Sequence, residues 1–321
     1  MLSLANLLRP DPVFRLLLSG LLLFGLTSVQ ADERWPDKPI NLLVGFSPGG
    51  GADTLARLVA RELQTELKQP VVVRNIAGGG GIVMATSLKF AKPDGYTIGL
   101  AANSAFDGMP WLTRLRYTPD DFSYLTTISE LQNALVASSS APFSNWEEMI
   151  EYGRQHGLTY GSISPITRLF MNLVAEREGI RIRTIPMRGG LEIMNNLIGG
   201  HIDIAWSAGV HQSFLGGGKI QVIASLNEKR LHSSPDKPSI TELGFPVGYT
   251  SYFMLAASRD IPAPILERLT SALYKASRSE SVAMLAEKRM GFPSVVLSSE
   301  ELENFIHTGS EAYRQSADQL Y

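Results

Sequence analysis

The chain contains no cysteine. Disulfides, thiol nucleophiles and cysteine-ligated zinc are therefore excluded. A lipid anchor on a cysteine at a processing site is excluded with them. Histidine is scarce, with five in 321 residues. His156, His201, His211, His232 and His307 include no two at metal-ligand spacing, so no metal is expected. There is no Gly-x-Ser-x-Gly nucleophile elbow. No close acidic pair suggests a general acid and base. His201 and Asp203 flank one residue and would share a strand face, which reads as a turn histidine beside a structural acid. A surplus of one charge sign is also lacking: 29 Lys and Arg stand against 31 Asp and Glu. A nucleic-acid partner would call for a basic stripe, and none is present.

Long hydrophobic runs are missing too. Leu16-Leu17-Leu18 and Leu21-Leu22-Leu23-Phe24 are interrupted by Ser19-Gly20, well short of the roughly 20 apolar residues of a membrane span. Arg9 and Arg15 sit early in the segment, and Val29-Gln30-Ala31 provides a small-residue cleavage site. Residues 1–31 read as a cleavable signal peptide. The product is expected to be soluble and periplasmic, a compartment that a cysteine-free chain suits. What remains exceeds one typical domain of about 100–200 residues, so two lobes are expected.

The rest of the chain alternates. Strand-like runs at 40–46, 71–73, 96–101, 133–137, 158–161, 182–186, 202–206 and 221–225 are mostly followed by helical patterns. In 54–68, Leu55, Leu58, Val59, Leu63 and Leu67 recur at helical spacing. Further helices are expected at 82–91, 145–155, 168–178, 190–198 and 208–215, with three more after Pro262. Asn145 reads as an N-cap, and Ser298 or Ser299 with the following glutamates as a capping box. The pattern implies an α/β protein with parallel sheets covered by helices.

In such sheets ligands bind beyond the carboxyl ends of the strands. The first strand-to-helix turn is Phe46-Ser47-Pro48-Gly49-Gly50-Gly51-Ala52-Asp53. Its glycines leave backbone N–H groups open where a helix begins, and a helix N-terminus suits an anion. The second turn is Gly78-Gly79-Gly80-Gly81 and the third Ala102-Asn103-Ser104. The others are Ser162–Arg168, which includes Thr167, then Met187-Arg188-Gly189-Gly190 and Trp206-Ser207-Ala208-Gly209. These turns supply backbone donors, hydroxyls and two guanidinium groups for carboxylates. No Gly-Lys-Ser/Thr follows either glycine loop, so neither is a P-loop. The dinucleotide pattern fails as well, because its third glycine would fall on Thr54 or Val83. Tight turns needing φ > 0 are the plain alternative for either loop alone. Asp53 suits helix capping better than ligand contact. Arg188, between a strand and a glycine pair, reads as a clamp, and Arg168 as a clamp or a surface charge.

Several motifs occur in order: Trp35-Pro36-Asp37-Lys38-Pro39-Ile40, Phe46–Asp53, Gln69-Pro70-Val71-Val72-Val73-Arg74-Asn75, Gly78–Gly81 and Lys92-Pro93-Asp94-Gly95-Tyr96-Thr97. Tyr160-Gly161-Ser162 and Leu197–Asp203 continue the series. The set resembles the substrate-binding proteins of tripartite tricarboxylate transporters, the Bug receptors, across essentially the whole mature chain. The resemblance implies a type II periplasmic binding protein, a two-lobed (Venus flytrap) clamp in which each lobe is a mostly parallel sheet flanked by helices. Lobe 1 would span 32–133 and 252–321 and lobe 2 134–251, with crossing strands near 133–137 and 251–257. It implies a small organic carboxylate, di-, tri- or aromatic, with one carboxylate on the Pro48–Gly51 loop and the other end on lobe 2. It implies membrane permease subunits as partners, a monomer, no cofactor and no catalysis. A sensor that presents ligand to a receptor kinase and a periplasmic enzyme acting on an anion stay open as alternatives. The chain departs from the family where Thr167-Arg168-Leu169 replaces Ser-His-Leu and Met187 replaces a tyrosine. Ser207 also stands where an acid is common, which disfavours an amino-acid ligand. Arg168 is expected to compensate by contacting a carboxylate.

Overall fold

The computed structural model describes residues 35–246 and 248–320, with side chains placed through residue 315. The expected signal peptide lies outside the described residues. The compact body spans Pro36–Tyr321 and is built on two five-stranded sheets. The first contains β1 (Ile40–Val44), β2 (Val71–Asn75), β3 (Thr97–Ala102), β4 (Phe122–Glu130) and β10 (Tyr252–Ser258), in the order β2-β1-β3-β10-β4. The second contains β5 (Ala134–Ser138), β6 (Leu158–Ser162), β7 (Ile182–Pro186), β8 (Ile204–Ser207) and β9 (Ile220–Ser225), in the order β7-β6-β8-β5-β9.

The two orders are the same pattern. In each sheet three strands pair in parallel, and the strand in fourth position, the one that follows a crossing from the other sheet, runs against them. The ladders are therefore mixed rather than mostly parallel: β10 is antiparallel to both β3 and β4, and β5 to both β8 and β9. A strand that enters from the opposite lobe arrives from the far end, so it must run backwards. β5 and β10 occupy the stretches where crossing strands are expected. Hydrogen bonds join the two crossings directly. Leu131 N–H donates to Ser251 O (2.8 Å), and Asn133 Nδ2 donates to Tyr249 O (3.0 Å) and Ser251 Oγ (2.9 Å).

Helices α1 (Gly51–Leu67), α2 (Ile82–Lys89), α3 (Trp146–His156), α4 (Pro165–Glu178) and α5 (Gly190–Ile198) follow strands as the periodicity predicts. In α1 the buried face is Leu55, Val59, Leu63 and Leu67 with Ala56 and Ala60; truncating Leu63 to Ala would cost about 2–5 kcal/mol. Asn145 caps α3, its side chain accepting from Glu148 N–H. Ser298 and Glu301 form the reciprocal capping box of α8 (Ser299–Leu320). Helices α6 (Ala263–Ser277) and α7 (Glu280–Met284) precede it, and α6 packs on α1 and β4.

Three local readings change. α4 starts at Pro165, not 168, because Ser164 caps it and Pro165 suits the first helical position. The 208–215 segment is helical only from Gln212, since Gly209 sits at φ +113°. The 279–289 segment changes to a π turn over Leu285–Arg289.

Candidate functional site

The carboxyl ends of both sheets face one cleft, which encloses a cavity of ≈ 240 Å³. Its polar edge comes from two loops of like construction. After β1, Gly50 is the N-cap of α1, and the first helical bond runs from Thr54 N–H to Gly50 O, 3.0 Å. The N–H groups of Gly51, Ala52 and Asp53 thus have no intrahelical acceptor. After β7, Gly189 is the N-cap of α5, whose first bond is Ile193 N–H to Gly189 O, 3.2 Å. Gly190, Leu191 and Glu192 are open in the same way.

Each loop is braced by the acid at the third helical position. Asp53 Oδ2 accepts from Gly49 N–H (2.9 Å), and Glu192 Oε2 accepts from Arg188 N–H (2.7 Å). Asp53 has further partners: Arg57 Nε donates to it (3.0 Å), and Asn75 Nδ2 donates to it (2.9 Å) and to Phe46 O (3.0 Å). Burial pushes the Asp53 carboxyl up, but hydrogen bonds from Arg57, Gly49 and Asn75 outweigh this and hold it below its ordinary 3.8.

The lobes are closed on each other. A Cβ on Gly80 would lie 2.7 Å from Ser164 Cβ, and one on Gly189 would lie 3.5 Å from Ser47 Oγ. Gln212 Nε2 also donates to Gly291 O across the cleft, 3.2 Å.

Of the residues singled out from sequence, Phe46, Ser47, Pro48, Gly50, Gly51, Ser104, Thr167, Arg188, Gly189 and Ser207 line this cavity. The others do not. Gly49 is turned outward with its N–H on Asp53, and Asp53 is buried behind the loop. Gly80 lines the cavity in place of Gly79. Asn103 lies beneath, donating to Asp107 Oδ2 (2.7 Å) and accepting from Tyr252 N–H (2.8 Å). Ser162 Oγ is bonded to Thr167 Oγ1 (2.8 Å), and Met187 packs into the lobe 2 core. Arg168 is exposed and outside the lining, because α4 begins early enough to turn it outward.

Sequence reasoning missed much of the wall. Leu131, Asn133, Tyr249, Ser251 and Phe253 come from the crossings, and Phe292 comes from the segment before α8. None follows a parallel strand, so a search of strand-to-helix turns passes over them. Asn133 is the exception that could have been found: it lies at the expected crossing, and its Oδ1 accepts from Trp206 Nε1 (3.0 Å).

Two buried ionisable groups flank the cleft without lining it. His211 Nδ1 contacts Ser207 Oγ (2.9 Å), and burial pushes its pKa down to about 3, so the ring is neutral at ordinary pH. Asp107 is 1% exposed with Oδ1 unpaired, and burial pushes its carboxyl up to about 6 despite the Asn103 and Gly108 hydrogen bonds. Among the described residues no group of three or more His, Cys, Asp or Glu could hold a metal ion. Nor is any described helix long and apolar enough to cross a membrane.

The family model described as "Tripartite tricarboxylate transporter family receptor" matches residues 55–316. The "UPF0065 protein in gbd 5′ region" of Cupriavidus necator is 32% identical over 257 residues, covering 77% of this chain and 76% of that one. The fold matches the periplasmic binding protein BugD at TM-score 0.81 and 24% identity, over 89% of this chain and 98% of BugD. MatC of Rhodopseudomonas palustris with bound malate matches at TM-score 0.79 and 22% identity, over 88% and 100%. An R. palustris protein with adipate matches at TM-score 0.79 and 25% identity, over 88% and 98%. Fold, cleft and sequence agree: the chain belongs to the receptor family of tripartite tricarboxylate transporters, whose members bind solutes and are not enzymes.

Proposed function

We propose that this receptor works in the periplasm, closing on a small organic carboxylate and delivering it to the membrane subunits of a tripartite tricarboxylate-type permease. The observation that carries this reading is the pair of open helix N-termini on opposite sides of one cavity, with Ser47 lining it on one side and Arg188 on the other. Developing N–H donors and a positive helix end both favour a carboxylate. The malate and adipate bound in two structural neighbours are of that class. Ligand held between the lobes shifts an open–closed equilibrium toward the closed form, and the permease can read that form.

Thermal unfolding of ligand-stripped protein against carboxylates, amino acids and phosphate tests the reading. A ligand at about 100 times its Kd adds roughly 2.7 kcal/mol. A shift is expected with carboxylates. A shift with amino acids or phosphate and none with any carboxylate overturns it.

A further inference from the structure

Much of the cavity wall is apolar. Phe46, Phe253 and Phe292 form an edge-to-face row on lobe 1, with centroids 5.8 Å apart at 76° and then 5.9 Å apart at 73°. Ile163, Ile166 and Val210 add apolar surface from lobe 2. Several polar side chains of the wall are spent on protein. Asn133 bonds to Tyr249 O, Ser251 and Trp206, Thr167 to Ser162 and Ser164, and Ser207 to His211. The hydroxyls left for a ligand are those of Ser47, Ser104 and Tyr249, and the last two lie together.

Tyr249 is fixed everywhere except at its hydroxyl. Its N–H donates to Leu226 O (2.8 Å), its carbonyl accepts from Asn133 Nδ2 (3.0 Å), and its ring packs edge-to-face on Trp206 at 5.1 Å. The hydroxyl itself is buried without a partner, a costly state for a polar group. Burial, and after it the Asp107 charge, push the phenol up, so it is a neutral donor. Ser104 is the cavity-lining hydroxyl beside it. When Ser104 O–H donates to a ligand oxygen, its lone pairs turn to the Tyr249 O–H, and the orphan donor gains an acceptor.

The strands fix where that oxygen sits. Ser47 follows β1 and Ser104 follows β3, and the two strands are paired, with Gly45 N–H on Leu100 O at 2.9 Å. Paired strands lie about 4.8 Å apart. Ser104 therefore stands about one strand spacing from the acid-binding loop, within reach of the first carbons beyond a carboxylate seated there.

Asp107 sets the charge of that oxygen. Its carboxyl is buried, bonded to Asn103 Nδ2 (2.7 Å) on one oxygen and unpaired on the other, and its pKa of about 6 leaves it ionised at pH 8. Its charge acts on the Tyr249 phenol. A ligand carboxylate at Ser104 would be repelled by it, whereas a hydroxyl or carbonyl oxygen would not.

Resting on the carboxylate reading above, we infer that Ser104, backed by Tyr249, is a third ligand point that takes an uncharged oxygen one or two carbons from the loop-bound carboxylate. The receptor then prefers hydroxy- or oxo-carboxylates to their parent acids and to acids with a further carboxylate at that place. Titration calorimetry at pH 8 with matched acids reads the preference: succinate against malate, and glutarate against 3-hydroxyglutarate and tricarballylate. In each set that binds, the hydroxylated acid is expected to bind about tenfold tighter than the others. Ser104→Ala and Tyr249→Phe are expected to bring the ratio close to one. Ser47→Ala, at the carboxylate loop, is expected to weaken all members of a set alike and keep the ratio. Circular dichroism confirms that each variant is folded.

Equal or weaker binding of the hydroxylated acids overturns the third point while leaving the carboxylate reading intact. An unchanged ratio in both Ser104→Ala and Tyr249→Phe, or its loss in Ser47→Ala alone, moves the oxygen elsewhere and overturns the assignment. Tricarballylate binding tighter than 3-hydroxyglutarate overturns the demand for an uncharged oxygen. Binding of no carboxylate by the wild type overturns both readings.

Discussion

The two cleft loops share a plan and differ in how tightly it is held. Both put glycine at the N-cap, both leave the next N–H groups open, and both use the third helical residue to brace the residue before the cap. In lobe 1 the brace is Asp53, buried and bonded to Gly49, Arg57 and Asn75, with Asn75 also gripping Phe46 O. In lobe 2 the brace is Glu192, half-buried in the cavity wall, where Arg188 N–H bonds to it. A site held in shape before the ligand arrives spends less binding energy on ordering itself. On the carboxylate reading proposed above, lobe 1 would be the better-braced anion seat and lobe 2 the less firmly held side.

The largest effect is expected from the lobe 1 brace. Asp53→Ala leaves the Gly49 N–H and the Arg57 and Asn75 donors without their shared acceptor, and should destabilise the protein by about 2–4 kcal/mol. Urea unfolding at pH 7 measures it. Because the folded carboxyl lies below 3.8, its contribution is present above that value and is lost as pH falls through the lower folded pKa. The gap between wild type and variant should therefore shrink toward pH 2. A loss under 1 kcal/mol at pH 7 would mean that lobe 1 is no better braced than lobe 2.

A second buried acid of lobe 1 has the opposite sign. Asp107 is pushed up to about 6, so the folded protein holds its proton more tightly than the unfolded chain does, and stability falls as pH rises from 3.8 to about 6. Asp107→Asn keeps an acceptor for Asn103 Nδ2 and removes the buried charge. It should add about 1–3 kcal/mol at pH 8 and nothing near pH 4. Chemical denaturation at the two pH values checks this, and equal effects at both would show that the charge is not the cause.

This contrast between the loops was only half legible in the sequence. Glycines before an amphipathic run place both loops at helix starts, and the importance of Asp53 is legible, although it does not cap its helix as expected: Gly50 is the N-cap, and Asp53 lies at the third helical position and accepts from Gly49 N–H. The tie of Asp53 to Asn75 is not legible, because it joins residues 22 apart through a parallel strand pairing. The same limit hides β4. Phe122–Glu130 is absent from the strands expected from the sequence, yet it is a nine-residue strand in which Thr126, Thr127 and Ser129 are fully buried. Thr126 Oγ1 donates to Leu297 O (2.7 Å) and Thr127 Oγ1 to Val295 O (2.6 Å), so a segment some 170 residues away satisfies these two hydroxyls, while the Ser129 hydroxyl is buried without a hydrogen-bond partner. Alternation and turn chemistry are local and survive in the sequence. The crossings, the cavity's aromatic row and the partners of buried polar groups are long-range and do not.

Two arginines that both offered a clamp in sequence sharpen the lobe 2 side. Arg188 lines the cavity and Arg168 does not. Arg188→Ala should weaken carboxylate binding by about tenfold, the range of a charge-assisted hydrogen bond at a partly exposed site. Arg168→Ala should leave Kd unchanged. A loss at Arg168 equal to that at Arg188 would restore the compensating role expected for it and would place the anion nearer α4 than the cavity does.

The smallest effect is the most telling, because its sign should differ between the lobes. Glu192→Gln keeps an acceptor for Arg188 N–H, so the loop should keep its shape, and it removes a negative charge from the wall of an anion site. Carboxylate affinity should rise about two- to fivefold at low salt, and the gain should fade as salt screens the charge. The matching change in lobe 1, Asp53→Asn, should lower affinity instead, since there the charge is buried behind the loop and holds Arg57 and Asn75 in place. Calorimetry on both variants at two salt concentrations decides the matter. If both lower affinity, Glu192 is as structural as Asp53 and the lobes are braced alike. If they move in opposite directions, one acid builds the seat and the other restrains how strongly it holds.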